Sequence, residues 1–269
     1  MAALHVTESG RDDGPLLVLL HGAGNSHGTF GFVGEGLEAL GTRARLLAVD
    51  LRGHGVSPRT PAEYGLDAYT ADVEALLDEV GPAHVVGNSL GGAIAWTLAQ
   101  RRPELVRAAL LEDPPLRRVD LDAAAAVFGA LRDQVRRWQA TGATLETVAA
   151  VLGAMPGPGG RRPSDVQAAD AIEARAQGLL DVDPEALGAV ADGTTLATID
   201  LAAPPRVPVR VLAADEARGS VLPEAAAAAL VAAHPDVTVR RWPDAGHVVH
   251  DEIAHRRDWL AEVDALLAR

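Results

Sequence analysis

Ser89 stands in a sequence context that could make its hydroxyl a nucleophile. It lies in the pattern Gly-x-Ser-x-Gly, between an apolar run that predicts a short buried strand (Ala83–Val86) and a run that predicts a helix (Leu90–Ala99). A serine on such a sharp strand-to-helix turn has a strained backbone, and Gly87 and Gly91 leave the space that the turn requires. The same pattern also fits a glycine-rich turn that contains a serine by chance.

A serine hydroxyl is a weak nucleophile near neutral pH and needs two helpers. One is a histidine within hydrogen-bond reach that takes its proton, and the other is a carboxylate that orients this histidine. The predicted helix points its N-terminus at Ser89, so the N–H of Leu90 is free to stabilise a developing oxyanion. The chain has nine histidines, and further segments narrow the choice.

Three more segments each follow a run of residues that predicts a strand. They are His21-Gly22-Ala23-Gly24 after Leu16–Leu20, Asp50-Leu51-Arg52-Gly53-His54-Gly55 after Leu46–Val49, and Asp244-Ala245-Gly246-His247 after Thr238–Trp242. Together with the serine turn, in this order, they resemble the α/β-hydrolase family from about Leu16 to the end of the chain. The resemblance implies an α/β fold, with a mostly parallel sheet and an inserted helical cap. It is much less specific for the substrate than for the fold.

The resemblance also implies roles for particular residues. The catalytic order of this fold is serine, acid, histidine, which makes His247 the preferred base, with His250 and His255 as nearby competitors. The second oxyanion donor should be the N–H of Ala23, beside that of Leu90. His21 and His54 are expected to brace their loops and to transfer no proton.

Two positions are open for the acid. Many members of the family carry it in the loop after the strand equivalent to Val209–Ala213, near Ala217 in this chain. Ala217 has no carboxylate, and Asp215 comes about two residues early. A minority branch, which includes zearalenone-type lactone hydrolases, carries the acid one strand earlier, and alignment with that branch puts it on Asp113. We therefore expect Asp113, with Asp215, Glu112 and Glu216 as alternatives.

The order of apolar runs predicts how the chain is divided. Predicted strands and helices alternate from Leu16 to Leu111, which favours parallel pairing, and one further strand is expected at Leu4–Thr7. Residues 116–203 show helical spacing and no clear strand, so we expect them to form the cap, on a core of residues 1–115 and 204–269. The core should close with an amphipathic helix over Glu252–Leu267.

Composition excludes several function classes. The net charge of −13 argues against partners with phosphate backbones or anionic lipid surfaces. Cysteine is absent, which removes disulfides, thiolate metal sites and a cysteine nucleophile. We found no metal-ligand spacing and no phosphate-binding glycine motif, so neither a metal nor a cofactor is expected. The first residues lack the features of a signal peptide, and no apolar run is long enough to span a bilayer, which favours a cytoplasmic location.

The leading hypothesis is a serine hydrolase that cleaves a small-molecule carboxylic ester or lactone through an acyl-enzyme. Asn88, before the serine, is also typical of meta-cleavage-product hydrolases, which break C–C bonds, but those enzymes usually have Trp where this chain has Val248. A non-catalytic receptor with the same fold is the other alternative. The sequence leaves the substrate and the oligomeric state open, with a homodimer as one option.

Overall fold

One mixed sheet forms the centre of the molecule. The structure, a computed structural model, describes residues 3–117 and 121–268. The other six positions, which fall within the predicted core and cap ranges, lie outside the described residues. The strands are β1 (Val6–Gly10), β2 (Leu16–Leu20), β3 (Arg45–Val49), β4 (Ala83–Asn88), β5 (Val106–Glu112), β6 (Val209–Ala213) and β7 (Thr238–Arg241). Their order is β1-β3-β2-β4-β5-β6-β7. β1 is antiparallel to β3, and the other neighbouring pairs are parallel.

The central strands are apolar on both faces because helices cover both sides of the sheet. In β2, Val18 and Leu20 pack with Trp96 in one buried cluster, while Leu17 and Leu19 pack with Trp259 in a second cluster on the opposite face. This alternation explains why the core strands are continuous apolar runs, as the sequence predicts. The predicted fold class is confirmed.

Helices connect the strands and fill the segment between β5 and β6. They are α1 (Val33–Ala39), α2 (Leu66–Val80), α3 (Leu90–Arg101), α4 (Leu121–Ala124), α5 (Ala130–Thr141), α6 (Leu145–Ala154), α7 (Pro163–Val166), α8 (Ala169–Asp181), α9 (Pro184–Ala191), α10 (Glu224–Ala233) and α11 (Arg256–Leu267). Residues 125–129 continue α4 as a π-helical turn.

The segment between β5 and β6 is helical from α4 to α9 and has no named strand among its described residues. Its helix α8 packs against the short 3₁₀ turn His27–Phe30, which follows β2. That residues 116–203 form a cap domain of their own stays a prediction.

Two predicted boundaries are wrong by a few residues. The first strand covers Val6–Gly10 and not Leu4–Thr7, because its register is set by pairing with β3, and its outward residues are polar and exposed. The closing helix begins at Arg256 and not at Glu252, because a separate 3₁₀ turn, Val249–Asp251, precedes it. None of the helices in the described residues has both the length and the apolar character needed to cross a bilayer.

Candidate active site

Ser89 occupies the sharp turn between β4 and α3. Its backbone has φ 51° and ψ −113°, a conformation that a residue with a side chain rarely adopts. A Cβ on Gly87 would lie 2.2 Å from the Gly91 carbonyl oxygen, and one on Gly91 would lie 2.1 Å from the Leu20 carbonyl oxygen. The turn therefore requires glycine at both flanking positions, and it lifts the Ser89 side chain above the end of the sheet.

Two backbone amides lie beside this serine. Leu90 is the first residue of α3, where an N–H has no acceptor within the helix. Ala23 lies in the loop after β2, and a Cβ on the preceding Gly22 would come within 3.1 Å of Ser89 Cβ. Ala23, Leu90 and Ser89 line the same cavity, together with His247.

His21 braces this loop. Its Nδ1–H donates to the Gly22 carbonyl oxygen at 2.8 Å, and its Nε2 accepts the N–H of Leu51 at 3.1 Å. Complete burial lowers the pKa of His21 to about 4, so the ring is neutral at pH 7. A trans peptide holds its N–H opposite to its C=O, so fixing the Gly22 carbonyl also fixes the direction of the Ala23 N–H.

Asp113 accepts the Nδ1–H of His247 at 2.6 Å. It directly follows β5, in a left-handed backbone conformation with φ 40°. Its Oδ1 accepts the Ala214 N–H at 3.1 Å and the Ser220 hydroxyl at 2.6 Å, and its Oδ2 also accepts the Val221 N–H at 2.8 Å. Burial acts to raise the pKa of Asp113, but these donors and His247 together lower it below the ordinary value. The carboxylate is therefore charged near neutral pH.

The other three candidate acids lie elsewhere. Asp215 accepts the N–H groups of Ala217 and Asp244, both at 2.9 Å, so it closes a turn at the end of β6. Glu216 accepts the N–H of Glu224 at the start of α10. Of the four predicted candidates, Asp113 is the one that contacts His247.

Glu112 pairs with His250 in the fully buried interior. One carboxylate oxygen accepts the His250 backbone N–H at 3.0 Å, and the other accepts the His250 Nδ1–H at 2.6 Å and the Trp259 Nε1–H at 3.1 Å. On its other side the ring donates its Nε2–H to the Thr29 hydroxyl oxygen at 2.9 Å. Burial acts to lower the pKa of His250, but the nearby charges of Glu112 and Asp251 raise it overall.

This pairing removes His250 and Glu112 from the competition for the catalytic roles. His255, the third candidate base, lies just before α11, with its Nε2 3.5 Å from Glu252. It also packs edge-on against Trp242.

Ser89 and His247 face one cavity of about 380 Å³. In the described part of the chain no hydrogen bond joins them, and such contacts are often long before substrate binds. The Asn88 side chain donates to the His247 carbonyl oxygen at 3.4 Å, which ties the histidine loop to the serine turn. Most lining side chains are apolar, such as Leu90, Val127, Phe128, Leu196 and Val221.

Sequence reasoning missed the groups that hold the acid. Ser220 and the Val221 amide lie more than 100 residues after Asp113, and no local pattern marks them. It also missed a cluster outside the cavity, in which ligand-type atoms of His5, His27 and Asp50 lie within 4.8 Å of one another. There Asp50 Oδ1 already accepts two N–H groups of His27, and Oδ2 accepts that of Val56.

Comparisons with known proteins identify the family of this chain. A sequence model described as "Alpha/beta hydrolase family" matches residues 17–263. An AB hydrolase superfamily protein of Bacillus subtilis is 37% identical over 105 residues, which cover 38% of this chain and 36% of that protein. The sn-1-specific diacylglycerol lipase ABHD11 of Mus musculus is 36% identical over 101 residues, which cover 37% of this chain and 32% of the lipase. The matches thus span about a third of the length of these relatives.

The fold is also similar to that of solved structures over nearly the whole chain. The enol-lactonase from Burkholderia xenovorans has a TM-score of 0.74 at 20% identity, and the alignment covers 100% of this chain and 97% of the lactonase. At this identity the likeness concerns the fold alone.

Proposed function

This chain belongs to the α/β-hydrolase family, and from that premise we propose that it is a serine hydrolase that cleaves a carboxylic ester or lactone. The observation that carries the proposal is the 2.6 Å hydrogen bond from His247 to Asp113, at a histidine that shares a cavity with Ser89. The relatives named as lipase and lactonase act on the same bond type.

In the proposed reaction, Ser89 Oγ attacks the substrate carbonyl carbon and His247 Nε2 takes the hydroxyl proton. The negative charge on the carbonyl oxygen is stabilised by the amides of Ala23 and Leu90. His247 then gives its proton to the leaving alkoxide, which departs as the alcohol and leaves an acyl group on Ser89. A water molecule, deprotonated by His247, releases the acid and restores the serine. A lactone would give one hydroxy acid in place of two products.

The role of Asp113 in this scheme is to keep His247 in the useful tautomer. Because its carboxylate accepts the Nδ1–H, the Nε2 lone pair is free to face the serine. The same charge stabilises the imidazolium that forms in each half of the reaction.

The cavity lining favours a substrate with an uncharged, apolar portion. The titratable side chains among the described lining residues are His247 and Arg117. The Arg117 Nε–H donates to the Val221 carbonyl oxygen at 2.8 Å, and apolar groups make up most of the remaining surface. Burial of apolar substrate area contributes roughly 25 cal/mol per Å², so affinity should rise with acyl chain length until the cavity is full.

A fluorophosphonate probe and a panel of p-nitrophenyl esters and lactones test the proposal together. We expect wild-type protein to be labelled on Ser89 and to turn over several esters or lactones. Ser89→Ala should lose both properties, while Ser164→Ala, which changes an exposed serine in α7, should keep both. Labelling without turnover of any substrate would favour the receptor alternative. Absence of labelling, or activity that survives in Ser89→Ala, would contradict the proposal.

A further inference from the structure

An arginine of α8 contacts the loop that carries the proposed oxyanion donor. Arg175 Nη1 donates to the Ala23 carbonyl oxygen at 3.0 Å. The side chain is partly buried, and no carboxylate of the described residues lies within ion-pair distance of it. Burial acts to lower the pKa of Arg175, and Asp251 opposes this. An arginine keeps its charge even so.

The backbone of α8 lies close to the backbone of this loop, and the absence of side chains at two glycines makes this possible. A Cβ on Gly178 would lie 2.9 Å from Asn25 Cα and 3.1 Å from the Gly24 carbonyl oxygen. A Cβ on Gly24, which has φ +72°, would lie 3.0 Å from Leu179 Cδ2. Two glycines thus allow the helix and the loop to approach closely, and Arg175 is delivered to Ala23 by a rigid element.

Both peptide groups that flank Ala23 are therefore fixed. His21 holds the Gly22 carbonyl, and through it the Ala23 N–H, from the core side. Arg175 holds the Ala23 carbonyl from the side of α8. Rotation of the Gly22–Ala23 peptide would turn the Ala23 N–H away from the place where the oxyanion forms. Movement of the Ala23–Gly24 peptide would displace the Ala23 Cα, to which that N–H group is joined.

We propose that Arg175 is a positioning residue, which fixes the oxyanion loop from α8 and adds a positive charge behind it. This inference depends on the proposed function, since it concerns the same reaction. It adds that the helical segment between β5 and β6 takes part in transition-state stabilisation as well as in covering the cavity. The guanidinium acts through the Ala23 peptide and does not itself line the cavity.

The test compares Arg175→Met, which removes the charge and the donor, with Arg175→Lys, which keeps the charge. Arg137→Met is the matched control, because it makes the same change at an exposed arginine in α5. We expect Arg175→Met to lower kcat for a p-nitrophenyl ester by about tenfold to a hundredfold, because small displacements of catalytic groups have effects of this size. KM should stay within about threefold, and Arg175→Lys should recover part of the loss.

Two further measurements separate positioning from loss of folding. The rate of fluorophosphonate labelling of Ser89 should fall in Arg175→Met by a similar factor, because that reaction also develops charge in the oxyanion hole. Guanidinium at tens of millimolar should raise the rate of Arg175→Ala and leave that of wild type unchanged. The changes in labelling rate and the guanidinium rescue should both be observed at temperatures well below the Tm of each variant, where the protein is folded.

The outcomes distinguish this inference from the function on which it depends. If wild type is labelled and active while Arg175→Met keeps its kcat and its labelling rate, the role of Arg175 is wrong and the function stands. A change confined to KM or Tm, with no rescue by guanidinium or by lysine, would also overturn it. If wild type shows neither labelling nor turnover, both proposals fail together.

Discussion

His247 depends on a carboxylate that is itself held by three other donors. The Ala214 N–H, the Ser220 hydroxyl and the Val221 N–H all bond to Asp113. Because these groups come from the chain after β6, the acid at the end of β5 is fixed by its neighbouring strand. A carboxylate with this many donors has little freedom to turn, so the histidine it holds is oriented before substrate binds.

Asp113→Asn should lower kcat by about 10⁴-fold, because an amide can donate to Nδ1 and so favour the wrong imidazole tautomer. Steady-state kinetics on a chromogenic ester would measure this, next to a melting curve. Asp215→Asn is the control, because the Asp215 carboxylate accepts the backbone N–H groups of Ala217 and Asp244 and holds no proton of His247. If Asp215→Asn were the inactive variant and Asp113→Asn the active one, the acid would have to be reassigned.

His247→Ala should reduce kcat nearly as much as Ser89→Ala, and the double variant should lose little more. The two side chains act as one unit, since neither is useful without the other. Single-turnover rates for the three variants give the comparison. If the fold loss of the double variant equalled the product of the two single-variant losses, the two side chains would act independently and His247 would not be the base.

At the scale of elements, the buried pair of Glu112 and His250 joins three segments behind the cavity. The backbone carbonyl of Glu112 accepts the Ser89 N–H at 2.9 Å, while its side chain holds His250 in the turn after His247. His250 in turn contacts Thr29, in the 3₁₀ turn that follows the loop of Ala23, the proposed oxyanion donor. The pair therefore stabilises the relative positions of the three loops that carry the site.

Glu112→Gln should destabilise the protein by about 3 kcal/mol, because it removes the counter-charge that is hydrogen-bonded to a buried histidine. Chemical denaturation would measure the free energy of unfolding, with Glu38→Gln on the exposed side of α1 as control. An effect no larger than that of the control would contradict a structural role for the pair.

The same pair should make stability depend on pH. The pKa of His250 is raised on folding, so its contribution is complete below the pKa of an unfolded histidine, about 6.5, and is lost as pH rises through the higher folded-state pKa. We expect the Tm of wild type to fall between pH 6.5 and pH 9 by more than the Tm of Glu112→Gln, which keeps Asp251 but lacks the Glu112 charge, the larger of the two that raise this pKa. Parallel Tm curves for the two proteins would exclude this account.

At the scale of the whole molecule, the cavity lies between the core and the helical segment that follows β5. Val127 and Phe128 come from that segment and line the same cavity as Ser89. Leu131, one turn later, is not among the lining residues, and like Phe128 it packs against the buried core cluster. The segment therefore offers both lining and supporting positions.

Phe128→Ala should change the relative rates of short and long acyl esters more than it changes the labelling of Ser89. Leu131→Ala should lower Tm and slow all substrates alike. A panel of p-nitrophenyl esters that differ in acyl length supplies the measurement. Equal effects of Phe128→Ala across that panel would mean that the segment only supports the fold.

The fold could be predicted further from the sequence than the site. Strand β2 begins and ends where its apolar run does, since burial on both faces leaves a continuous local signal. Strand β6 also has its predicted bounds, although Arg210 interrupts its apolar residues. The first strand was misplaced because its polar residues are ordered by pairing with β3, which composition does not record. The resemblance supplied Ser89, Asp113 and His247 as candidates. Ser220 contacts Asp113 and Arg175 contacts Ala23 across long separations in sequence, and no spacing along the chain predicts these contacts.

The neighbouring positions of β5 and β6 have a consequence for chain entropy. The Asp113 N–H donates to the Leu212 carbonyl oxygen at 2.7 Å. Because the two strands are adjacent and parallel, the long segment between them leaves at the end of β5 and returns to the sheet at Val209, the start of the neighbouring strand. The free-energy cost of the chain entropy lost on closing such a loop falls by only about 0.6 kcal/mol when the loop length is halved. We therefore expect that shorter or longer segments could be exchanged here without disturbing the bonds around Asp113. One core could in this way acquire new substrate preferences, provided that each replacement again braces the Ala23 carbonyl.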